Sequence, residues 1–467
     1  MRSAFAIALA SAVLLAESLF AADHLVGPVG SGAPYEKIQL AIDAAQPGDR
    51  VFVLPGTYFE SISIGKPLEL VGSGSQASFI RAIPAAFPGL VTQPMAATGV
   101  PAGARLRIAG FHITAQGATN FSSGICPLVV HDTHGVVELA DLELNAVGFP
   151  LLAAGTEVGA LTLRDAAQVV IDGLRAQAGL APISTVPDAA PFLNGMHGLL
   201  AERSNVWIND SISFAMGGSA ALSLQGGSPG PGGHGVLAID SKLQLARVHA
   251  RGGQAGGFGV AGALPGGAGL DARGSVVRAH GGSQSRFEGA NASIVTQVFV
   301  SNFGAAGPGA RLDATSVLTR APDVELTPGA ALGPLPAGQP LVAAPGATSL
   351  VLAERQPALV IAPRYPAVGG PVTVTFEGEP GSVHLRGVAI ASAPAFALPG
   401  ISGAVLLDLG SLLLAPAVVV GAGGATQKPD AVPNFAGFAG IAFVEQSAQV
   451  TGLGISLAPP VVLTVGF

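Results

Sequence analysis

The chain has 467 residues, 11% charged and 49% hydrophobic, with 22 Lys+Arg against 29 Asp+Glu for a formal net charge of -7. So little charge beside so much apolar surface excludes a charged disordered chain, and the sparse basic residues leave no electrostatic footprint for nucleic acid. Gly 66 and Pro 36 point to many turns, and the length allows two or three domains unless coils stack on their neighbours as in a solenoid.

Residues 1–22 read as a signal peptide. Arg2 is the positive n-region, Ala4 to Leu15 is a mostly apolar run, and Ala21 and Ala22 offer a cleavage point. The run is shorter than the roughly 20 residues that span a bilayer, and Gly and Pro interrupt every later apolar stretch, so no transmembrane helix is expected. A secreted or cell-surface location follows, in the bacterial habit. The single cysteine, Cys126, excludes a disulfide within the chain and a thiolate metal cluster. It is expected to pack in the core rather than to act as a nucleophile.

Ile38, Ala41, Ile42 and Ala45 follow helical spacing, and Pro47-Gly48-Asp49 stops the helix. Val51 and Val53 form a short strand, Pro55-Gly56-Thr57-Tyr58 reads as a turn, and Ile62 with Ile64 forms a second strand. Leu68 and Leu70 form a third, closed by Gly72. Three short strands joined by corners describe one coil of a β-helix. The helix before them covers a solenoid end that would otherwise expose an unpaired strand.

The run Ile38-Gln-Leu-Ala-Ile-Asp-Ala-Ala-Gln-Pro-Gly-Asp49-Arg-Val-Phe-Val-Leu-Pro-Gly-Thr-Tyr58 resembles the N-terminal start of the pectin lyase-like superfamily. The resemblance implies an all-β chain: a right-handed parallel β-helix with an N-terminal capping helix. It is nearly silent on function.

Further coils are expected at Leu106 to Ile113 and Val136 to Leu144. A longer repeat has leading apolar positions Val130, Leu163, Leu200, Leu237, Leu270 and Leu312, spaced 33, 37, 37, 33 and 42 residues apart. Its corner residues are His134, Ala167, Ser204, Ser241, Gly274 and Ser316. A bare coil needs only about 20–25 residues, from three short strands plus corners. Each repeat should therefore carry an insertion, and the Gly-rich stretches Gly226 to Gly235, Gly252 to Gly269 and Gly304 to Gly309 are expected to protrude from one side.

Gly and Pro cluster between Pro328 and Pro345, which sets the β-helix at 23–335 and a C-terminal β-rich domain at 345–467. There Val372 to Phe376, Val383 to Val388, Ala404 to Leu407, Ile441 to Val444 and Val461 to Val465 read as strands of a small antiparallel β-sandwich. The alternation ending at Phe467 is also that of an outer-membrane barrel strand, but the region lacks the repeated ten-residue strands of a barrel.

The superfamily includes polysaccharide lyases, pectin methylesterases and polygalacturonases, and each needs a dense polar constellation on one face of adjacent coils. None of their motifs matches here residue by residue, and Asn209-Asp210 is the nearest fragment. No cofactor is expected, with calcium relevant only to a lyase. The candidates left are a metal-ligating trio, His131, Asp132 and His134, and a pair of register-matched acids, Asp271 and Asp313, with Arg278 and Arg320 eight residues beyond each leading Leu. If coils stack in that register, the two acids lie about 4.8 Å apart. In the blander alternatives the trio is a solvated corner and the acids a surface ladder. Trp207, the only tryptophan, and three tyrosines offer little for a sugar-stacking platform. These features point to a structural, adhesive or glycan-recognition protein whose partners are polysaccharide or cell-surface components. The alternative is a polysaccharide-active enzyme: a lyase, esterase or glycosidase. A groove where three or more Asp, Glu, Arg or His converge would favour the enzyme.

Overall fold

The computed structural model describes residues 21–81, 93–116, 126–147, 157–178, 195–211, 231–255, 264–281, 285–297, 300–332 and 335–466. Residues 1–20, where the signal peptide was expected, and Phe467 lie outside these.

The expected helix is present as Ile38–Ala44, with Ile38, Ala41 and Ile42 buried. Its first two free N–H groups, those of Ile38 and Gln39, are answered by Glu60 Oε1 and Oε2 at 2.8 and 3.0 Å, a carboxylate at the positive end of the helix. Below it, a 20-stranded parallel sheet winds round three faces. The long face stacks Asp23–Val26, Arg50–Val53, Glu69–Gly72, residues 105–109, 136–140 and 168–172, then Asn205–Asn209, Lys242–Ala246, Val276–His280, Val317–Arg320 and Thr348–Val351. The second face begins at Ile62–Ile64 and the third at Gly56–Phe59. The strands Leu128–Val147 and Gly159–Ala178 each contribute to all three faces.

This corrects the first coil. Pro55 makes the bend alone and Gly56–Phe59 is a strand on Ser78–Arg81. Leu70 pairs with Val51, so the Glu69–Gly72 strand opens the next coil. Pro-Gly reads as a turn in sequence, but a β-helix corner needs only a residue or two.

Inward columns run the length of the solenoid. One is Leu106, Val137, Val169, Val206, Leu243, Val277 and Leu318, all at most 3% exposed. Each such side chain contributes about 1.5–3 kcal/mol by leaving water. Left-handed corner residues succeed one another coil by coil: Asp132, Asp165, Arg203, Asp240 and Gly274 have φ of 52, 50, 47, 48 and 61°. One residue per corner must adopt this conformation, which Gly and Asp tolerate best. The next corner positions form a hydroxyl ladder. Ala166 N–H donates to Ser204 Oγ, Ser204 N–H to Ser241 Oγ, Ser241 N–H to Ser275 Oγ and Ser275 N–H to Ser316 Oγ, at 3.0–3.1 Å. Ser204, Ser241 and Ser316 are expected corner residues, whereas Ser275 takes the place given to Gly274 and Ala166 that given to Ala167.

The register of the leading positions also differs. Val130 and Leu163 pair, but Leu163 then meets Ala201, and Leu200 pairs with Thr162 and Leu237. Leu200 and Leu237 are 0% exposed but sit one residue out of the inward column, which continues through Ala201, Ala238, Ala272 and Leu312. Two or three apolar residues in a row hide which one points inward.

The Gly-rich stretches do not protrude where they are described. Gly232, Gly233, Gly252, Gly253, Gly266, Gly267, Gly307 and Gly309 are buried. Their backbones form one hydrogen-bonded seam: Gly253 N–H donates to Gly233 O, Gly267 to Gly253, Ala290 to Gly267, Gly307 to Ala290, Gly329 to Gly307 and Gly338 to Gly329, at 2.7–3.0 Å. A Cβ on Gly267 would stand 1.8 Å from Gly233 O. The seam closes the corner between the third and second faces. Residues 256–263, within the expected Gly252 to Gly269 insertion, lie outside the described residues.

The parallel ladders continue past residue 335, through Leu341–Ala343 and Thr348–Val351. Antiparallel sheets follow. A three-stranded one holds Ala358–Ala362, Pro371–Glu377 and Ala425–Ala431, and a seven-stranded one centres on Val383–Ala389 and Ala442–Thr451. Leu359, Val374 and Phe376 of the first pack on Phe443, Val461 and Leu463 of the second.

Candidate functional site

The sequence candidates are not brought together. Asp271 pairs across the coils with Arg311, and Arg278 with Thr319, because the last repeat is longer than the others. Asp313 lies instead in an exposed corner, accepting from Ser316 Oγ at 2.6 Å and Gly274 N–H at 2.9 Å. Arg278 reaches Ser402 and Gln356, and Arg320 donates to Val324 O at 3.0 Å. The expected acid ladder is therefore absent: Asp271 and Asp313 are not cross-coil neighbours. His131 Nδ1 holds Asp132 Oδ2 at 2.7 Å, and His134 is exposed, its N–H on Val100 O at 2.8 Å. No group of three or more His, Cys, Asp or Glu able to hold a metal occurs among the described residues. Trp207 is half-buried on the outer side of the long face, between Val170 and Gln244.

Cys126 is 2% exposed, and its Sγ lies 3.0 Å from Gly159 O and 3.2 Å from Leu128 O. Burial pushes the thiol up to about 11, far from the thiolate a nucleophile requires. Native protein is expected to resist iodoacetamide for hours and to label fully in guanidinium. Rapid native labelling would place the thiol at the surface.

Asp271 belongs to a cluster that sequence reasoning missed. It accepts from His234 Nε2 at 3.0 Å and from Arg273 at 3.1 Å, while His197 Nε2 meets Glu157 Oε2 at 2.7 Å. The two imidazoles stack, 5.2 Å apart and 1° from parallel. Each has its other nitrogen occupied: His234 N–H donates to His197 Nδ1 at 2.9 Å and Ala268 N–H to His234 Nδ1 at 3.0 Å. That leaves Nε2 of each ring to donate to its carboxylate. Burial opposes ionisation of Glu157, but the His197 hydrogen bond and the charge of Arg273 overcome it and hold the carboxyl at about 2. A His–carboxylate dyad that works on a substrate presents its second ring nitrogen to it. Here the backbone of the next coil consumes that nitrogen, so the dyads bind coils together.

The second constellation is the outer side of the long face, and the C-terminal sandwich lies against it. Ala109 and Ala140 pack on Ala442 and Val462. Glu138 accepts Ser392 N–H at 3.0 Å, Gln168 bonds Ala393 O and Ala395 N–H, and Gln244 donates to Leu457 O at 2.9 Å. Asp172, 0% exposed, accepts from Arg364 Nη2 at 3.0 Å and Nε at 3.2 Å, from Asn209 Nδ2 at 3.2 Å and from Val462 N–H at 3.0 Å. Arg364 also reaches Asp210 Oδ2 at 2.7 Å, and Arg247 joins Asp210 to Glu377. Burial raises Glu138, but the charges of Arg105 and Arg107 more than offset it and leave its pKa lowered.

His280 reports the dryness of this contact. Gln244 Nε2 lies 2.8 Å from its Nε2 and Pro357 O lies 3.3 Å from its Nδ1, and burial beside the Arg278 charge pushes it down to about 3. A neutral buried His stabilises the fold above its unfolded value near 6.5 and loses that contribution as pH falls toward the folded one. The protein should therefore lose stability between pH 6.5 and 4, and His280→Gln should lose less over that interval than the parent. Identical slopes in urea unfolding would refute this.

A polar cleft of about 350 Å³ opens beside the contact, lined by Asp141, Glu143, Arg175, Asp210 and Arg364. Most of its charges are already matched. Asp141 accepts from Ser75 N–H and Oγ at 2.9 Å each, and Asp210 is held by two arginines. The signal for this corner was the Asn209-Asp210 fragment. Asp141, Gly173, Asp210 and Arg247 all occupy positive-φ positions in successive coils.

No family model matches the chain, and no curated protein matches it. Solved structures do. The pectin methylesterase of Aspergillus niger in deglycosylated form is 11% identical over 70% of this chain and 85% of that one, with a TM-score of 0.26. The pectin methylesterase PemA of Erwinia chrysanthemi is 9% identical over 63% and 78%, with a TM-score of 0.21. Such scores carry no inference about chemistry. The three-faced parallel coils and the capping helix over the first of them are observed directly. The fold is a parallel β-helix. No helix among the described residues is long and apolar enough to cross a membrane.

Proposed function

We propose that this β-helix is an exported structural or adhesive protein with a glycan-rich environment as its setting, and that it does not process polysaccharide. What supports this is the long face. Its outward polar side chains are the convergent groups an enzyme on this fold would need, and they are spent on the chain's own C-terminal sandwich, as with Glu138, Asp172, Gln244 and His280. A general acid or base contributes only when it reaches the reacting proton at about 2.6–3.2 Å, and a side chain covered by another domain does not. The test is full-length protein on pectin and polygalacturonate, followed by reducing ends, unsaturated uronate and released methanol. No turnover is expected on any of the three, alongside measurable retention on a glycan array. Turnover would overturn the reading.

The cleft favours the enzymatic alternative, since five charged residues converge there. Arg175 is exposed at its rim. Were turnover found, Glu143→Gln and Arg175→Gln are the substitutions that would remove it under that alternative.

A further inference from the structure

The C-terminal sandwich contains a cavity of about 620 Å³ between its two sheets, away from the β-helix contact, walled by Val388, Leu413 and Leu463 and closed at one end by Arg386, Asp430 and Glu445. Its size and its mostly apolar wall with a few polar groups are those of a small-molecule site. The sequence explains the polar end. Val388 pairs with Glu445 and Arg386 with Ser447 across Val383–Ala389 and Ala442–Thr451, so Arg386, Val388, Phe443 and Glu445 share the face turned toward the other sheet. Asp430 comes from that other sheet, on Ala425–Ala431. Arg386 Nη2 donates to Asp430 Oδ2 at 2.6 Å. Glu445 is 4% exposed, and its Oε2 forms an ion pair with Arg386 Nε at 3.1 Å that is not aligned as a hydrogen bond, so both atoms are buried without a hydrogen-bond partner. A buried carboxylate oxygen left open costs stability unless something answers it.

From this geometry we propose that the cavity is a binding site for a small organic cation, an apolar body ending in a protonated amine that donates to Glu445. With both acids ionised, two carboxylates face one guanidinium and the end of the cavity is short of one positive charge. The rest of the lining, from Val372, Val388, Leu413–Pro416, Ala431–Pro433, Phe443 and Leu463, brings no charged side chain. The amine supplies both the missing charge and the missing donor, and its apolar body covers the leucines. In the free protein burial raises Glu445 to about 7 against the pull of Arg386, so the ammonium must hold it ionised.

The probes are 4-phenylbutylammonium, 4-phenylbutanol and 4-phenylbutyrate, titrated calorimetrically into the full-length protein. The ammonium should bind saturably at one site and at least about tenfold tighter than the alcohol, as one charge-assisted hydrogen bond requires, and the carboxylate weakest. Ammonium binding should weaken as pH falls through 7, when Glu445 takes up a proton. Glu445→Gln should cost the ammonium about tenfold and leave the alcohol within about twofold. Leu414 is 71% exposed at the rim, so Leu414→Arg should fold and abolish ammonium binding by placing a tethered cation at the mouth. Equal binding of the three probes, no binding of any, or full ammonium affinity in folded Leu414→Arg would each overturn the proposal.

Discussion

Gly267→Ala is expected to prevent the β-helix from folding, at a cost of at least about 4 kcal/mol, the range reserved for gross core disruption. The added Cβ would meet Gly233 O at 1.8 Å, Gly233 C at 2.6 Å and Gly253 N at 3.0 Å, all backbone atoms of adjacent passes of the chain. No rotamer relieves that contact. The passes must separate, and the bonds Gly267 N–H to Gly253 O and Ala290 N–H to Gly267 O are lost with them. Each buried group left open adds about 1–3 kcal/mol. Because a solenoid coil is held only by its neighbours, the damage spreads along the seam. Gly65→Ala is the control, since nothing lies within 4 Å of its Cβ position and its φ is ordinary; it should change stability by less than about 0.5 kcal/mol. Soluble yield and guanidinium unfolding of the two variants decide the matter. A Gly267→Ala protein as stable as Gly65→Ala would mean the seam is not close-packed.

The seam also marks where the sequence stops being legible. Alternation of apolar residues is a local signal, so the capping helix, the first strands and the sandwich strands at Val372 and Val383 could be read directly. Glycine has no side chain to alternate. A Gly-rich stretch therefore looks the same whether it is a solvated loop or, as at Gly233 and Gly267, a place where backbones touch. Register fails for a related reason. Leu199 and Leu200 are both buried, one inward and one on the outer side, and spacing cannot rank them. Ala425–Ala431 was missed because Lys428, Pro429 and Asp430 interrupt it. It is tolerated as the edge of its sheet, where Pro is least costly. The site was harder still. Asp172 meets Arg364 across 192 residues and Glu138 meets Ser392 across 254, and no motif spacing reports partners that far apart in different domains. His197 and His234 are 37 residues apart like the repeat itself, as are Asp172 with Asn209 and Asp210 with Arg247, so their spacing did carry these cross-coil contacts.

The Asp172–Arg364 contact is also the one whose loss should matter most after the seam. Arg364→Met should destabilise the protein by about 3–5 kcal/mol, the cost of stripping one partner from a buried ion pair. Asp172 is fully buried between the β-helix and the sandwich, and Arg364 supplies two of its donors. Burial pushes the Asp172 carboxyl up and Arg364 opposes it, so without the guanidinium the group protonates and loses its charge-assisted bonds. A surface pair such as Arg50 with Asp23, half exposed, would cost at most about 1 kcal/mol on removal. The distinguishing experiment adds Asp172→Asn to Arg364→Met. The neutral amide leaves no charge buried and its carbonyl oxygen keeps the Val462 N–H bond, while Asn209 Nδ2 stays anchored on Leu359 O. The double variant should recover more than half of the lost stability. Proteolysis should follow the same order: the single variant cut in residues 352–357, where the chain passes from the β-helix to the sandwich, and the double variant protected. If the two substitutions are instead additive in urea unfolding, Asp172 was not relying on Arg364, and the sandwich is held to the long face by its apolar contacts alone.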